Sequence, residues 1–586
     1  MDRRNFIKLM GLGTGALAMG CGGGRGIAEA GRRPNVILLI TDDQGYGDLG
    51  CHGNEVIQTP NMDALYGQST RLTNFHVGPT CSPTRSSLMT GRYCNRVGVW
   101  HTIMGRSQLR SDETTMGDVF RSNGYATGMF GKWHLGDNYP FSPRFRGFEK
   151  VVCHGGGGVG NTQDAWGNDY FDDKYCHNGV WKQHEGYCTD VWFEEARAFI
   201  REKAESGRPF LCYLATNAPH GPFLVPEKYS DLYKKEFPDW PWAVPPNFYG
   251  MITCIDENLG RLMGDLEQLG VSEDTILIFM TDNGTSGQAE VEGIYNAGMR
   301  AYKGSPYDGG HRVPFFIRWP GRIPAGQDVS RLTAHIDVLP TLAALCGLRP
   351  PEHLPWDGMD ITPLLQESGG EWAERTIITD SQRVEDPVKW RHCSVMTDRW
   401  RLINGEELYD MSGDPGQQTD VAADHPDVVA KLRADYEEWW RDTSRRFGEY
   451  TRTVLGSDKE NPVLLTSHDW HGPASQRAWN QRRIKLGPEG NGFWAVEVER
   501  AGEYEITLRR WPREHEAPLR ESFIDVTRAT LEMGDIRETA EVSPADNQAV
   551  FRVKLPAGPM KLLAGFEDAG GEKRGAYFTY VERLTN

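Results

Sequence analysis

The sequence Asn35-Val36-Ile37-Leu38-Leu39-Ile40-Thr41-Asp42-Asp43 predicts a buried strand that ends in two carboxylates. Its run of aliphatic side chains is typical of a parallel strand that is covered on both faces. Three later stretches repeat this pattern, and they are Tyr125 to Phe130, Pro209 to Ala215 and Thr275 to Met280. The sequence therefore predicts an α/β fold with a largely parallel sheet flanked by helices.

Polar side chains follow each of the later strands. Lys132 and His134 come after the second strand, His220 after the third, and Asp282 and Asn283 after the fourth. Open α/β sheets bind their ligands beyond the carboxyl ends of the strands. Ordinary loop polarity explains each group alone, but four strands with the same arrangement indicate a single site along this edge.

Residues 79–92 (PTCSPTRSSLMTGR) predict a helix with a cysteine, Cys81, at its N-terminus. Pro83 suits the first turn of that helix, and Leu88 lies on its buried side. Backbone N–H groups and the helix dipole would point at Cys81, and Arg85 lies one turn further on. This pattern predicts an oxyanion site beside a nucleophile, and a buried structural cysteine is the alternative.

The same string, Cys81-x-Pro83-x-Arg85 with the tail Leu88-Met89-Thr90-Gly91-Arg92, resembles the signature of the type I sulfatases of the alkaline phosphatase-like superfamily. Residues 124–134 (GYATGMFGKWH) are similar to the second signature of that family, with Phe130 where a small or branched residue is usual. The resemblance extends over roughly Pro34 to Leu348 and more loosely to Trp440. It implies a bacterial arylsulfatase-like polysaccharide sulfatase.

In that family the cysteine is oxidised to formylglycine by a formylglycine-generating maturation enzyme. The resemblance therefore implies that Cys81 is modified, and that its hydrated aldehyde attacks sulfur while a second hydroxyl later expels sulfate. By position, one divalent cation would be held by Asp42, Asp43, Asp282 and Asn283. These hard oxygen ligands suit Ca²⁺, with Mg²⁺ as the alternative.

The resemblance also implies roles for the basic residues of the site. Arg85 would hold the hydrated aldehyde, and Lys132 and Lys303 would clamp the sulfate oxygens. His134 would assist the release of sulfate, and His220 would protonate the leaving alcohol.

The substrate-binding set implied for the sulfated glycan has four members. Lys132, His220 and Lys303 are joined in it by His311, which lies near the site in the sequence but has weaker support than the other three.

Composition and periodicity divide the 586 residues into four predicted segments. Residues 1–33 form an export signal and linker, 34–370 the catalytic α/β domain, 371–455 a small α+β subdomain with an antiparallel sheet, and 456–586 a C-terminal β-sandwich. Aromatic residues of the last segment would form either a sugar-stacking surface or a core that docks on the catalytic domain. They are His468, Trp470, His471, Trp479 and Trp511.

The first residues predict export from a bacterial cell. Residues 2–8 (DRRNFIK) are typical of a twin-arginine signal, and the apolar stretch after them is too short to span a bilayer. Residues 18–21 (AMGC) resemble a lipoprotein cleavage site, so the chain would be either periplasmic or anchored to the membrane through a lipid on Cys21. Because twin-arginine cargo folds before export, we expect few disulfides among the eleven cysteines.

Charge limits the classes of partner. The formal net charge is −17 and no long basic run is present, which argues against binding of nucleic acid. Two functions compete with a sulfatase: a phosphonate or phosphate ester hydrolase of the same superfamily, and a catalytically silent glycan-binding protein. Cys81 and Asn283 argue against the two-zinc phosphatases, which carry Ser or Thr and His at these positions.

Overall fold

The computed structural model describes residues 33–239, 245–286, 295–350, 355–366, 372–521 and 524–584. The predicted export signal and Cys21 lie outside these ranges. Across the ranges that are described, no helix combines the length and the apolar character needed to cross a bilayer.

A ten-stranded mixed sheet forms the centre of the fold. The strand Asn35–Thr41 lies in its middle and pairs in parallel with Phe210–Ala215 on one side and Thr275–Thr281 on the other. This arrangement confirms the predicted α/β class. From edge to edge the strands are Gln327–Val329, Thr70–Leu72, Phe315–Arg318, Thr275–Thr281, Asn35–Thr41, Phe210–Ala215, Ala126–Gly131, Lys150–Cys153, Lys174–His177 and Val180–Gln183.

Long helices cover the sheet with an apolar stripe. In the helix Pro246–Gln268, residues spaced three and four apart, from Ile252 to Leu266, are buried with side chains of the central strand such as Ile37 and Leu39. Burial of both faces explains why the central strands are continuously aliphatic. The helices run over Pro60–Gly67, Cys81–Thr90, Met116–Ser122, Cys188–Ser206, Glu227–Glu236, Pro246–Gln268, Asp308–His311, Val338–Cys346, Thr362–Gln366, Pro426–Thr443 and Gln481–Lys485.

A four-stranded antiparallel sheet follows the large sheet in the chain and packs against the helix Pro426–Thr443. Its strands are Ile377–Asp380, Cys393–Met396, Trp400–Ile403 and Glu407–Asp410. Arg401 of this sheet reaches back to Asp308, with 3.0 Å between Nε and Oδ1, and both side chains are fully buried. This buried ion pair joins the small sheet to the short helix Asp308–His311.

Two further sheets enclose one shared apolar core at the C-terminal end of the chain, as expected for a β-sandwich. Its first strand, Thr453–Leu455, already pairs with Phe493–Val498, so the sandwich begins before residue 456. The first sheet contains Thr453–Leu455, Phe493–Val498, Gly558–Asp568, Val526–Met533, Ile536–Glu541 and Lys573–Gly575; the second contains Val463–Thr466, Phe578–Arg583, Gly502–Arg509 and Ala549–Leu555.

The aromatic residues of the sandwich serve mainly its core and its contact with the rest of the chain. Trp470 is buried between Trp494 and Tyr577, and Trp511 packs edge-on against Trp166 of the large-sheet region. This arrangement favours the docking interpretation over an exposed sugar-stacking surface.

Candidate active site

The ends of the central strands bring their polar residues together. Asp42 and Asp43 follow the strand Asn35–Thr41, and Asp282 and Asn283 follow its parallel neighbour Thr275–Thr281. The backbone N–H of Asp43 donates to Oδ1 of Asp282 at 3.1 Å. Parallel register therefore places these residues side by side, as the sequence pattern predicted.

The oxygen atoms of this cluster are buried and only partly hydrogen-bonded. All four residues are at most 1% exposed. Asn283 donates from Nδ2 to Oδ1 of Asp43 at 2.9 Å, while its own Oδ1 and Oδ1 of Asp42 find no partner among the described residues. Buried oxygen atoms without donors are unusual in a folded protein. An all-oxygen cluster with two such atoms fits a hard divalent cation.

Three cationic side chains balance the three carboxylates. Lys132, which follows the strand Ala126–Gly131, places Nζ 2.6 Å from Oδ2 of Asp42. Lys303 places Nζ 2.5 Å from Oδ1 of Asp43. Without these partners, three neighbouring carboxylates could not all remain ionised in a buried site.

Arg85 is the third cation, and its position is fixed from two sides. Its Nε and Nη2 donate to Oδ2 of Asp282 at 3.0 and 2.8 Å, and its Nη1 donates to the backbone carbonyl of Lys132 at 3.0 Å. The guanidinium and the carboxylate are both fully buried. A planar fork of donors is needed for this geometry, so lysine would not replace arginine here.

The environment drives the carboxylate pKa values apart. Although burial alone would raise it, the charges of Lys303, His220 and Lys132 hold the pKa of Asp43 well below its ordinary value. Burial, together with the neighbouring charge of Asp42, raises the pKa of Asp282 to about 6 in spite of Arg85. The site thus still favours an additional positive charge near Asp282.

Cys81 is the first residue of the helix Cys81–Thr90 and faces this cluster. Its sulfur and carboxylate oxygens of Asp42 and Asp282 all lie within 4.8 Å of one another. Burial raises the pKa of its thiol even though Lys132 and Lys303 act in the opposite direction. An unmodified Cys81 is therefore a protonated thiol at neutral pH, which is a poor nucleophile.

His220 lies beside Asp43 and is partly buried. Its Nε2 is 3.6 Å from Oδ2 of Asp43, and its Nδ1 donates to the backbone carbonyl of Gly221 at 2.7 Å. Burial lowers the pKa of His220 to about 4, and the charge of Asp43 offsets that shift only in part. The ring is therefore neutral at pH 7, with Nε2 free to exchange a proton.

His134 has a strained backbone and a constrained ring. Its φ is +61°, and its Nε2 donates to the carbonyl of Thr102 at 2.8 Å. Nδ1 is buried and has no partner in the described part of the chain. Burial and the charge of Lys132 hold the pKa of His134 well below its ordinary value. The ring therefore presents an unprotonated nitrogen next to the lysine of the site.

The structure does not bring His311 into this group, and its role as a substrate contact stays a prediction. Its ring is fully buried, with Nδ1 2.9 Å from Nδ1 of His76 and Nε2 2.9 Å from the carbonyl of Pro306. It belongs to a separate buried cluster around Asp308 and Arg401. Its ring nitrogens are already engaged within the protein.

Comparison with known proteins agrees with this geometry. The sequence profile described as Sulfatase matches residues 34–348, which is more than half of the chain, and one described as N-sulphoglucosamine sulphohydrolase, C-terminal, matches residues 302–441. The chain belongs to the sulfatase family. Members of this family are sulfuric ester hydrolases.

Individual relatives support the same assignment. Mouse arylsulfatase G is 32% identical over 57% of this chain and 69% of its own. Pig N-acetylgalactosamine-6-sulfatase is 30% identical over 60% of this chain and 70% of its own. The crystal structure of Ps i-CgsB in complex with k-i-k-neocarrahexaose aligns with a TM-score of 0.63 at 26% identity, covering 72% of this chain and 96% of that one.

Three residues border the sulfatase site that sequence reasoning did not place there. His154 is buried near Lys132 and Arg85, and its Nε2 has no partner among the residues described. Arg383 is exposed, with Nη1 3.9 Å from the position of a Cβ on Gly304. The third, His468, lies beside the ring of His134. The glycine-rich run that follows His154 was the sequence signal for that residue, and His468 was among the aromatic residues for which sugar stacking and docking were left as alternatives.

Gly157 tests how tightly His134 is held. A Cβ on Gly157 would lie 2.2 Å from Nε2 of His134, so in Gly157→Ala the ring or the glycine-rich backbone must move, and we expect the ring to lose its position on Thr102. Because misplacement by about 1 Å can cost about 10²-fold in rate, we expect kcat for sulfate release to fall by that order.

Gly158→Ala is the matched control, since the nearest atom to its Cβ would be 3.7 Å away. Steady-state kinetics and the thermal midpoint of both variants would check the prediction. Equal kinetics in the two variants would contradict it.

Proposed function

We propose that this chain hydrolyses sulfate esters of a sulfated polysaccharide or its oligosaccharides and releases inorganic sulfate. The supporting observation is the position of Cys81 at a helix N-terminus, against two buried carboxylates of a sulfatase-family site. We further propose that Cys81 acts after oxidation to formylglycine. That modification would supply a hydrated aldehyde, whose hydroxyl group can act as the nucleophile. A buried, neutral thiol is a poor nucleophile.

The metal ligands would be Asp42, Asp43, Asp282 and Asn283, and the ion Ca²⁺ or alternatively Mg²⁺. The unpartnered oxygen atoms of Asp42 and Asn283 and the raised pKa of Asp282 support this assignment. A bound divalent cation would polarise a sulfate oxygen as a Lewis acid. The all-oxygen donor set argues against zinc.

The basic side chains of the chain would bind and orient the ester. Lys132 and Lys303 would hold sulfate oxygens as point charges, because both already face the carboxylate cluster. Arg85 would hold Asp282 and residue 81 in a fixed relative position through its guanidinium group. Exclusion of water around these groups would strengthen each interaction.

Two histidines would move protons at different steps. His220 would donate a proton from Nε2 to the leaving oxygen; the arrival of an anionic ester would favour the protonated ring. His134 would accept a proton at its unpartnered Nδ1 during the release of sulfate. Their separate positions suit one acid and one base within a single site.

A sulfated sugar is the substrate class that the comparisons favour. A relative is named N-acetylgalactosamine-6-sulfatase, and a structural neighbour was solved with k-i-k-neocarrahexaose. The exposed Arg383 beside Gly304 would offer a cation to a further anionic group of such a chain.

Loss of the modified residue should abolish activity. We expect Cys81→Ala to lower sulfate release by more than about 10⁴-fold, because the nucleophile is removed. The protein would be co-expressed with a formylglycine-generating enzyme, and oxidation of residue 81 would be checked by mass spectrometry. Sulfate release would be measured from sulfated galactosamine, glucosamine and carrageenan oligosaccharides, with and without chelator and Ca²⁺.

Cys346→Ala is the control for this experiment, since it removes a buried thiol at the end of the helix Val338–Cys346. Sulfate release that survives Cys81→Ala would contradict the proposal. Turnover of a phosphonate ester without any sulfate release would favour the phosphonate hydrolase alternative, and sugar binding without turnover would favour a binding protein.

The acid role of His220 predicts a dependence on the leaving group. For a sugar sulfate, whose alkoxide needs a proton, we expect His220→Ala to lower kcat by about 10²–10⁴-fold. For 4-nitrophenyl sulfate the loss should be much smaller, because nitrophenolate leaves without protonation. A similar loss on both esters would show that His220 has a role other than proton donation.

We also propose that the protein is exported through the twin-arginine machinery and is either periplasmic or held by a lipid on Cys21. Support comes from the sequence alone, from Arg3-Arg4 and the stretch that ends in Cys21. Substitution of both arginines by lysine should retain the full-length protein in the cytoplasmic fraction of a bacterial host. Unchanged fractionation would contradict export by this route.

A further inference from the structure

The C-terminal sandwich contacts the loops that surround His134. The backbone N–H of Met104 donates to the carbonyl of His468 at 3.0 Å. Gln163 donates from Nε2 to Oδ2 of Asp469 at 3.4 Å, and the hydroxyl groups of Thr162 and Thr466 are 3.2 Å apart. The segment that begins at Thr466 is therefore held by two separate loops, one at Met104 and one at Thr162 and Gln163.

This contact brings one imidazole beside another. The rings of His134 and His468 have centroids 6.2 Å apart. The loop between Thr102 and Met104 contacts both residues, because Thr102 accepts from the ring of His134 and Met104 donates to the backbone of His468. His468 is thus placed by the same short segment that fixes a predicted catalytic histidine.

Asp469 determines which nitrogen of His468 is available. Nδ1 of His468 lies 3.1 Å from Oδ1 of Asp469, and both side chains are buried. Since a carboxylate only accepts hydrogen bonds, Nδ1 carries a proton, and in the neutral ring Nε2 is then the acceptor. That Nε2 is buried and has no partner among the described residues, as is also true of Nδ1 of His134. A ring held in this way is ready to accept a hydrogen bond.

Docking alone does not explain this arrangement, as a second histidine of the same segment shows. His471 is also buried, its Nδ1 lies 2.8 Å from Oε1 of Glu385, and its ring stacks on Phe493. Its contacts account for its position between the sandwich and the rest of the chain. Nε2 of His468, by contrast, is buried and has no hydrogen-bond partner among the described residues.

We propose that His468 is a substrate-binding residue contributed by the C-terminal sandwich. Its Nε2 accepts a hydrogen bond from a hydroxyl group of the sugar that carries the scissile sulfate, and Asp469 fixes the tautomer. The ligand must be a donor, because Nε2 is the acceptor in this tautomer; a second sulfate group, which only accepts, would not fit. The proposal rests on the proposed sulfatase function.

The decisive variants are His468→Ala and His468→Gln, prepared in the full-length, oxidised enzyme. For sulfated oligosaccharides we expect His468→Ala to raise KM by about tenfold or more with a smaller change in kcat, because one hydrogen bond to a substrate hydroxyl is lost. His468→Gln keeps an acceptor and should recover part of the loss. With 4-nitrophenyl sulfate, which has no sugar hydroxyl, the loss in kcat/KM should be clearly smaller.

His471→Gln is the matched control from the same docking surface. It should lower the thermal midpoint while leaving KM for oligosaccharides within about twofold of the wild-type value. If His471→Gln raised KM as much as His468→Ala, the effect would come from docking of the sandwich, and the proposal would fail. Equal losses on the aryl and sugar esters would also overturn it.

A binding measurement separates this proposal from the proposed function. Calorimetric titration of the Cys81→Ser protein with carrageenan oligosaccharides and with N-acetylgalactosamine 6-sulfate does not depend on turnover. If the double variant Cys81→Ser/His468→Ala bound the oligosaccharides tenfold more weakly than Cys81→Ser alone, the binding role would be supported even if the wild-type enzyme released no sulfate. Binding that is unchanged by His468→Ala would overturn that role even if the wild-type enzyme were an active sulfatase.

Discussion

Three buried carboxylates at one edge of the sheet are the constraint on which the rest of the site depends. Asp42, Asp43 and Asp282 could not remain ionised together in a low-dielectric environment without compensation. The compensating cations come from three different parts of the chain: the helix that begins at Cys81, the end of the strand Ala126–Gly131, and the loop that holds Lys303. Charge balance at this edge therefore requires these elements to assemble around the central strand.

The same balance explains how an acidic protein can receive an anionic ester. The chain carries a formal charge of −17, yet the carboxylates of the site are matched one for one by cations. Addition of one divalent cation would make the site positive. Burial keeps His134 and His220 neutral in the free protein, so that each can take up or hold a proton as charge develops. Local desolvation, rather than net charge, controls the chemistry.

The sequence alone was sufficient to locate those site residues that directly follow a predicted strand. Aliphatic runs that end in polar residues located Asp42, Lys132, His220 and Asp282, because parallel strands present their carboxyl ends at one edge. The location of His311 could not be predicted, because nearness in sequence does not determine where a side chain points; the ring lies in a separate buried cluster with His76. Contacts of His154, Arg383 and His468 depend on packing between distant segments, which no local pattern encodes.

The C-terminal sandwich lies beside the active site, so family membership alone does not determine the substrate. The two family profiles match residues 34–348 and 302–441, whereas the segment beside His134 begins at Thr466. The reaction centre therefore lies within the matched region, but part of its border is built by residues outside it. A sulfatase core with the same nucleophile, metal ligands and lysines could accept different sugars if a different domain were docked at this border. We therefore expect substrate preference to be determined at the contact between the sandwich and the loops around His134. There, residues of the family-matched region lie beside residues outside that region.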